Sequence, residues 1–232
     1  MNPRLLSLIL CTLAFATAAP AGELNTLSAA EKSAGWKLLF DGKSLAGWRG
    51  YKTETPVGWN VQDGALVLAA GRKGDLVTLQ EFGDFELSLE WKISEGGNSG
   101  IIYRVGLGDQ APARSGPEYQ ILDNARAKDN KVNTHHAGAL YDLVAPPKDV
   151  SRPVGQWNEA RIRVQGWKIQ HWLNGTKLVD IDLASPAGQA LIQGSKFKTW
   201  TRFASLTRGH IALQDHGDPV AFRNVAIKKL DK

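Results

Sequence analysis

The chain has 232 residues, enough for one domain that buries a full apolar core. Hydrophobic residues make up 43% of it, and 24 Gly, 10 Pro and 8 Trp favour short strands joined by tight turns over a helical fold. Its 28 Lys and Arg against 23 Asp and Glu are thinly spread, in pairs such as Arg161 and Arg163 or Lys228 and Lys229, which excludes a dense basic track for nucleic acid.

Residues 1–21 read as a cleavable signal peptide. Arg4 is the only charge before Glu23, Leu5 to Phe15 is an apolar run, and small residues follow from Ala16 to Ala21. The run is shorter than the roughly twenty residues that span a bilayer, so no membrane anchor is expected once the leader is cut. Cleavage fits after Ala18 or Ala21, and Ala21 is preferred because no proline then lies just downstream. The expected location is a bacterial periplasm or the cell exterior. Cys11, the only cysteine, falls inside the leader, so the mature chain relies on its sheet core rather than on disulfides. Loss of Arg4 leaves 27 basic against 23 acidic residues, a net charge of +4 that suits solubility.

Residues 22–35 form a lead-in, with a short helix expected between Glu23 and Ser33, and residues 36–232 form the main domain. Trp36 to Phe40 reads as a strand stopped by Asp41-Gly42. Trp59 to Gln62, Asp63-Gly64 and Ala65 to Leu68 spell a hairpin. Asp75 to Leu79 is a further strand. From Phe85 to Ile93 apolar and polar residues alternate strictly, as in a strand with one face in the core. Glu95 to Asn98 turns the chain, and Ser99 to Val105 runs back. Glu118 to Asp123, Arg161 to Val164, Ile169 to Leu173, Lys177 to Val179, Gly209 to Gln214 and Val220 to Leu230 complete the series. About a dozen short strands with little helix indicate an all-β fold, a jelly-roll sandwich of two antiparallel sheets.

The chemistry-bearing residues follow from strand alternation, which puts every second side chain on one face. Glu118 and Gln120 share a face. So do Gln214 and His216, near the end of the chain. Ordinary glycoside hydrolysis uses two carboxylates, about 5–5.5 Å apart for retention and 6.5–9.5 Å for inversion. The strand Glu118-x-Gln120-x-Leu122 supplies one. The plain reading of Glu118 is an exposed sheet-face residue. His135 and His136 are adjacent, so on an extended segment they point opposite ways and chelate poorly. His210 and His171 are read as packing residues, and His216 as the histidine with most claim to a role. Trp48, Trp59, Trp91 and Trp157 are expected in the core, with Trp167 and Trp200 better placed to stack on a sugar.

Several motifs then occur in order. They are Leu39-Phe40-Asp41-Gly42-Lys43-Ser44-Leu45-Ala46-Gly47-Trp48, Gly96-Gly97-Asn98-Ser99-Gly100-Ile101, Gly116-Pro117-Glu118-Tyr119-Gln120-Ile121-Leu122-Asp123 and Gly138-Ala139-Leu140-Tyr141-Asp142. Trp157-Asn158-Glu159, His171-Trp172-Leu173-Asn174-Gly175, Leu213-Gln214-Asp215-His216-Gly217 and Phe222-Arg223-Asn224 follow. Together they resemble the 3-keto-disaccharide hydrolase family of exported bacterial proteins, over nearly all of the mature chain; only the stretch from Leu183 to Leu206 has little counterpart. The resemblance implies a concanavalin-like jelly roll acting on glycosides or disaccharides already oxidised at C3 of the sugar. A 3-keto group acidifies the C2 proton, so one base can start an elimination that water addition completes, which accounts for a single carboxylate. On this reading Glu118 or His216 is the base and the other assists the leaving oxygen. Arg104 and Gln120 polarise the ketone or bind hydroxyls, and Asn98, Gln214 and Tyr141 contact the sugar. No cofactor is firmly implied, although a divalent metal would suit a keto-enolate. A functional partner would be an oxidoreductase that makes the ketone. The competing readings are a non-catalytic carbohydrate-binding module and, behind it, an ordinary endo-glycanase.

Overall fold

The computed structural model describes residues 23–230. The expected signal peptide lies outside them. A five-residue helix, α1 (Ala29–Ser33), opens on a capping box in which Ser28 and Glu31 satisfy each other's main-chain donors. Thirteen strands follow: β1 (Trp36–Leu38), β2 (Trp48–Gly50), β3 (Trp59–Gln62), β4 (Ala65–Leu68), β5 (Leu76–Thr78), β6 (Phe85–Ile93), β7 (Asn98–Val105), β8 (Glu118–Leu122), β9 (Asn158–Gln165), β10 (Lys168–Leu173), β11 (Thr176–Asp182), β12 (His210–Leu213) and β13 (Val220–Lys229). A second helix, α2 (Pro186–Gly194), interrupts them between β11 and β12 and runs on into a 3-10 turn at Lys196–Thr199.

The strands form two antiparallel sheets. One is ordered β11-β10-β9-β6-β13-β4-β3, with β1 also on β13, and the other β2-β5-β12-β7-β8. Two hairpins have the expected chemistry: Asp63-Gly64 and Asn174-Gly175 are left-handed at both positions, as a two-residue turn matching strand twist requires. The core lies between the sheets. Phe85, Leu87, Leu89 and Trp91 of the first meet Ile101, Tyr103, Tyr119, Ile121, Ile211 and Leu213 of the second. Polar ties cross it too. The Tyr103 hydroxyl lies 3.0 Å from His171 Nε2, and the Tyr119 hydroxyl donates to the Trp172 carbonyl.

Alternation then fixes what the second sheet shows on its other face. Tyr119 and Ile121 enter the core, so Glu118 and Gln120 face away from it. The same rule turns out Asn98, Gly100 and Ile102 on β7 and Ala212 on β12. One part of that face is apolar, a small cluster of Tyr51, Val77, Ile102, Val105 and Ala212. The other part is polar and carries the candidate chemistry. The outer edge of β8 is not bare: Gly138 to Tyr141 runs alongside, with Gln120 N donating to Ala139 O at 3.1 Å and Tyr141 N to Glu118 O at 3.0 Å.

Some expectations are corrected. Trp157 is not core; it is half-buried on the outside of the first sheet, under Arg223 and Lys92. Trp167 and Trp200 pack against the core, with Arg104 and Arg114 over their rings, and are not open platforms. The strand β2 was hidden in a loop-like sequence rich in Gly and charge, and α2 in the stretch after Leu183, where the sequence motifs are sparse.

Candidate active site

The centre of the polar face is Glu118. Its side chain lies across Gly100 of the neighbouring strand, where even a methyl group would collide with Oε1. Glycine here is a matter of space. The residue is only 5% exposed, far from the plain surface carboxylate its strand position allows. Burial pushes its carboxyl up to about 8. The Lys196 charge and a hydrogen bond from the Gln214 side chain oppose that rise, and the Asp75 and Asp129 charges add to it.

Amide groups surround it. Gln120 Nε2 donates to Asn98 Oδ1 at 3.0 Å, which leaves Gln120 Oε1 buried without a partner. Gln214 is held by its main chain between Gly100 and Ser99, and its Oε1 is likewise buried and unpaired. Two unsatisfied acceptors on one polar face are expensive unless something donates to them, and sugar hydroxyls are suitable donors.

On the flank, Tyr141 stacks on His135, with ring centroids 4.4 Å apart. His135 is fixed between Asp129 at 2.8 Å and Asp142 at 3.2 Å, and the Tyr141 hydroxyl donates to the other Asp129 oxygen at 3.3 Å. Burial and then the Asp129 charge raise the Tyr141 phenol well above its ordinary value, so it stays a neutral hydroxyl. His136 bonds instead to the Asn130 carbonyl, and the pair sits on a 3-10 turn, Asn133–His135, not on the extended segment expected. Toward the opposite flank, half-buried Asp75 precedes β5 and accepts from Asp215 N at 2.9 Å. Burial raises its carboxyl as well. A pocket of about 320 Å³ opens beside it, lined by Tyr51, Arg72, Lys73 and Asp215. His216 stands exposed at the rim; loss of hydration and then the Arg72 charge lower its imidazole.

A larger recess, about 1050 Å³, lies on the outside of the first sheet. Its more buried carboxylates are committed: Glu86 pairs with Arg161, and Glu90 with Arg223 and Asn224, while Glu31 caps α1 and Glu23 and Glu159 are exposed. On the opposite sheet, Glu118 is a buried acid with no ion pair within 4 Å among the described residues and a carboxyl raised to about 8. Among the described residues no group of three or more His, Cys, Asp or Glu side chains is placed to hold a metal ion.

Residues 35–228 match the family described as the 3-keto-alpha-glucoside-1,2-lyase-like domain. The chain belongs to that family. A 3-keto-disaccharide hydrolase of Bacteroides thetaiotaomicron is 34% identical to it, over 91% of this chain and 84% of the relative. A crystal structure from Parabacteroides distasonis, assigned provisionally to the glycosyl hydrolases, superposes with a TM-score of 0.86 at 33% identity, covering 90% of this chain and 100% of that one. A second from the same organism, with the same provisional assignment, gives 0.68 at 30% identity, over 84% and 99% of the two chains.

Within this 3-keto-alpha-glucoside-1,2-lyase-like domain, the structure brings together Glu118, Gln120, Asn98, Gln214 and Tyr141, and sets His216 at the rim. It does not bring Arg104 there. That side chain is 2% exposed, with Nη1 donating to Gly166 O at 2.7 Å, Nε to Gly83 O at 3.2 Å and Nη2 to Asp84 at 2.9 Å, so its donors serve the fold. The backbone at Arg104 is left-handed, φ 53°, which takes its side chain off the face shared by Asn98, Gly100 and Ile102. Three charged neighbours of Glu118 escaped the sequence reading. Asp75 shares a face with Val77 and was within reach of the alternation rule. Asp129 and Lys196 sit on irregular segments, where that rule is silent.

Proposed function

We propose that this protein cleaves the glycosidic bond of 3-keto-glycosides or 3-keto-disaccharides, with Glu118 as the base. Carbohydrate cleavage is the activity its relatives' names share, and the finer reaction rests on the acid itself. A buried carboxyl with a pKa near 8 exchanges a proton readily around neutral pH, which suits abstraction of a carbon-bound proton acidified by an adjacent ketone. Glu118 takes the C2 proton, and the electron pair passes through the C3 enolate oxygen. Collapse of the enolate forms the C1–C2 double bond and expels the C1 oxygen, which receives a proton from His216 or water. Water then adds at C1 and a proton returns to C2, so the sum is hydrolysis. Gln120 Oε1 and Gln214 Oε1 accept sugar hydroxyls, and Asn98 and Tyr141 line the ring.

Export, with a sugar 3-oxidising enzyme supplying the ketone, belongs to the same proposal and draws its support from the leader sequence. The test is incubation with a 3-keto-glucoside and with its unoxidised parent. Release of aglycone from the keto compound alone supports elimination. Cleavage of the parent would point to an ordinary glycanase, and binding without turnover to a lectin-like module.

A further inference from the structure

We infer that Lys196 is a positioning residue of this site, holding its ammonium beside Glu118 as the counter-charge needed when that carboxyl gives up its proton. The inference rests on reading Glu118 as the base. Lys196 begins the 3-10 turn after α2, within the residues 35–228 that match the family model. Its Nζ lies 4.1 Å from the centre of the Tyr141 ring and 5.4 Å from that of Phe197. One face of the Tyr141 ring is taken by His135, and two groups cannot share a face at such distances, so Lys196 covers the other. Tyr141 is in turn pinned to Glu118 through the main chain, its N–H donating to the Glu118 carbonyl. The result is a column of His135, Tyr141 and Lys196 braced on β8, with Asp129 and Asp142 clamping its far end.

The other charges are unfavourable to ionisation. Glu118 also faces Asp75 ahead of β5 and Asp129 on the loop after β8, and both oppose a second negative charge there. The Gln214 amide offers one hydrogen bond. Lys196 is the cation set against them, and among the described residues it makes no ion pair within 4 Å. Such an ammonium serves twice. It balances the carboxylate before reaction, and when Glu118 takes the C2 proton the negative charge moves to the sugar C3 oxygen within the same field. The turn that carries Lys196 is itself anchored, since Phe197 is in the core and Leu191 and Ile192 of α2 pack against it.

The variant is Lys196→Met, which keeps the stem against Tyr141 and Phe197 and removes the charge; Lys196→Arg restores charge, and Lys198→Met on the same turn is the control. Two readouts are taken on the full chain: kcat/KM against pH on a 3-keto-glucoside, and a carboxyl carbon NMR titration of Glu118, assigned by its loss in Glu118→Gln. Lys196→Met should move both midpoints to higher pH, each unit of displacement lowering kcat/KM at pH 7 by about tenfold. Lys196→Arg should return both toward wild type, and Lys198→Met should leave both in place. An unmoved Glu118 titration in a folded Lys196→Met overturns the inference. If wild type turns over no keto-glycoside, the functional reading fails while the NMR titration still decides the role of Lys196.

Discussion

Replacing Glu118 by glutamine keeps the size and hydrogen-bonding capacity of the side chain and removes its ability to ionise, which isolates one term of the folding energy. Burial raises this carboxyl from 4.5 to about 8, so between those values the folded chain holds a proton that the unfolded chain releases. Stability contributed by the neutral acid is therefore complete below about pH 4.5 and falls as pH rises, until the folded group ionises near 8. At 1.36 kcal/mol per unit, the penalty grows by about 3 kcal/mol between pH 5 and pH 7.5, a ceiling that water entry and local relaxation reduce. Glu118→Gln is exempt. Its stability relative to wild type should rise by up to about 3 kcal/mol over that interval, or roughly 6–12 °C in Tm for a domain of this size. The assay is a matched pair of urea titrations at pH 5 and pH 7.5, with thermal melts alongside. A difference between the two proteins that stays constant with pH would refute a buried, proton-holding Glu118. The same substitution should lower kcat/KM by about 10²–10⁴-fold at every pH, so activity and stability move in opposite directions.

Other expectations follow from neighbouring residues. Wild-type kcat/KM should climb with pH along a limb whose midpoint is near 8, since Glu118 must lose its proton to act as base; a flat profile between pH 6 and 9 would count against it. Gly100→Ala drives a methyl into the Glu118 carboxyl and should cost activity more than about 1–3 kcal/mol of overpacking costs stability, as parallel kinetics and melts will show. Gln120→Leu removes an orphaned acceptor and should raise KM by about tenfold, the worth of one hydrogen bond. Arg104→Ala should lower Tm sharply yet leave kcat and KM of the folded protein alone, because its donors are spent on Gly83, Gly166 and Asp84. His171, pushed down to about 3 by burial, stays neutral while its unfolded counterpart charges below about pH 6.5. It should contribute acid lability, and His171→Gln should flatten the loss of stability between pH 6.5 and 4.

Much of the scaffold was legible because period-two patterning is a local signal. Phe85 to Ile93 declared its core face, and Asp63-Gly64 and Asn174-Gly175 declared their turns, with no knowledge of partners. The same alternation put Glu118 and Gln120 on one face and turned out to describe the centre of the site. It said nothing about burial, because that depends on Gly100 one strand away and on the Gly138 to Tyr141 segment that lies alongside. Arg104 leaves that face through a left-handed backbone, which the sequence Tyr-Arg-Val does not announce. The idea of a lone carboxylate was also too narrow: Asp75 and Asp129 reach the same neighbourhood from separate elements, and only the packing of those elements reveals it.

The polar ties through the core have a mechanical corollary. Tyr103 and Tyr119 flank Glu118 in space and reach across to His171 and Trp172 on the opposite sheet, so the two sheets cannot slide past one another without breaking buried hydrogen bonds. These ties brace the strands beneath the Glu118 face against the opposite sheet. If the proposed function holds, movement around a substrate is expected in the segments between β8 and β9 and between β11 and β12, which bring Asp129, Tyr141 and Lys196 beside Glu118.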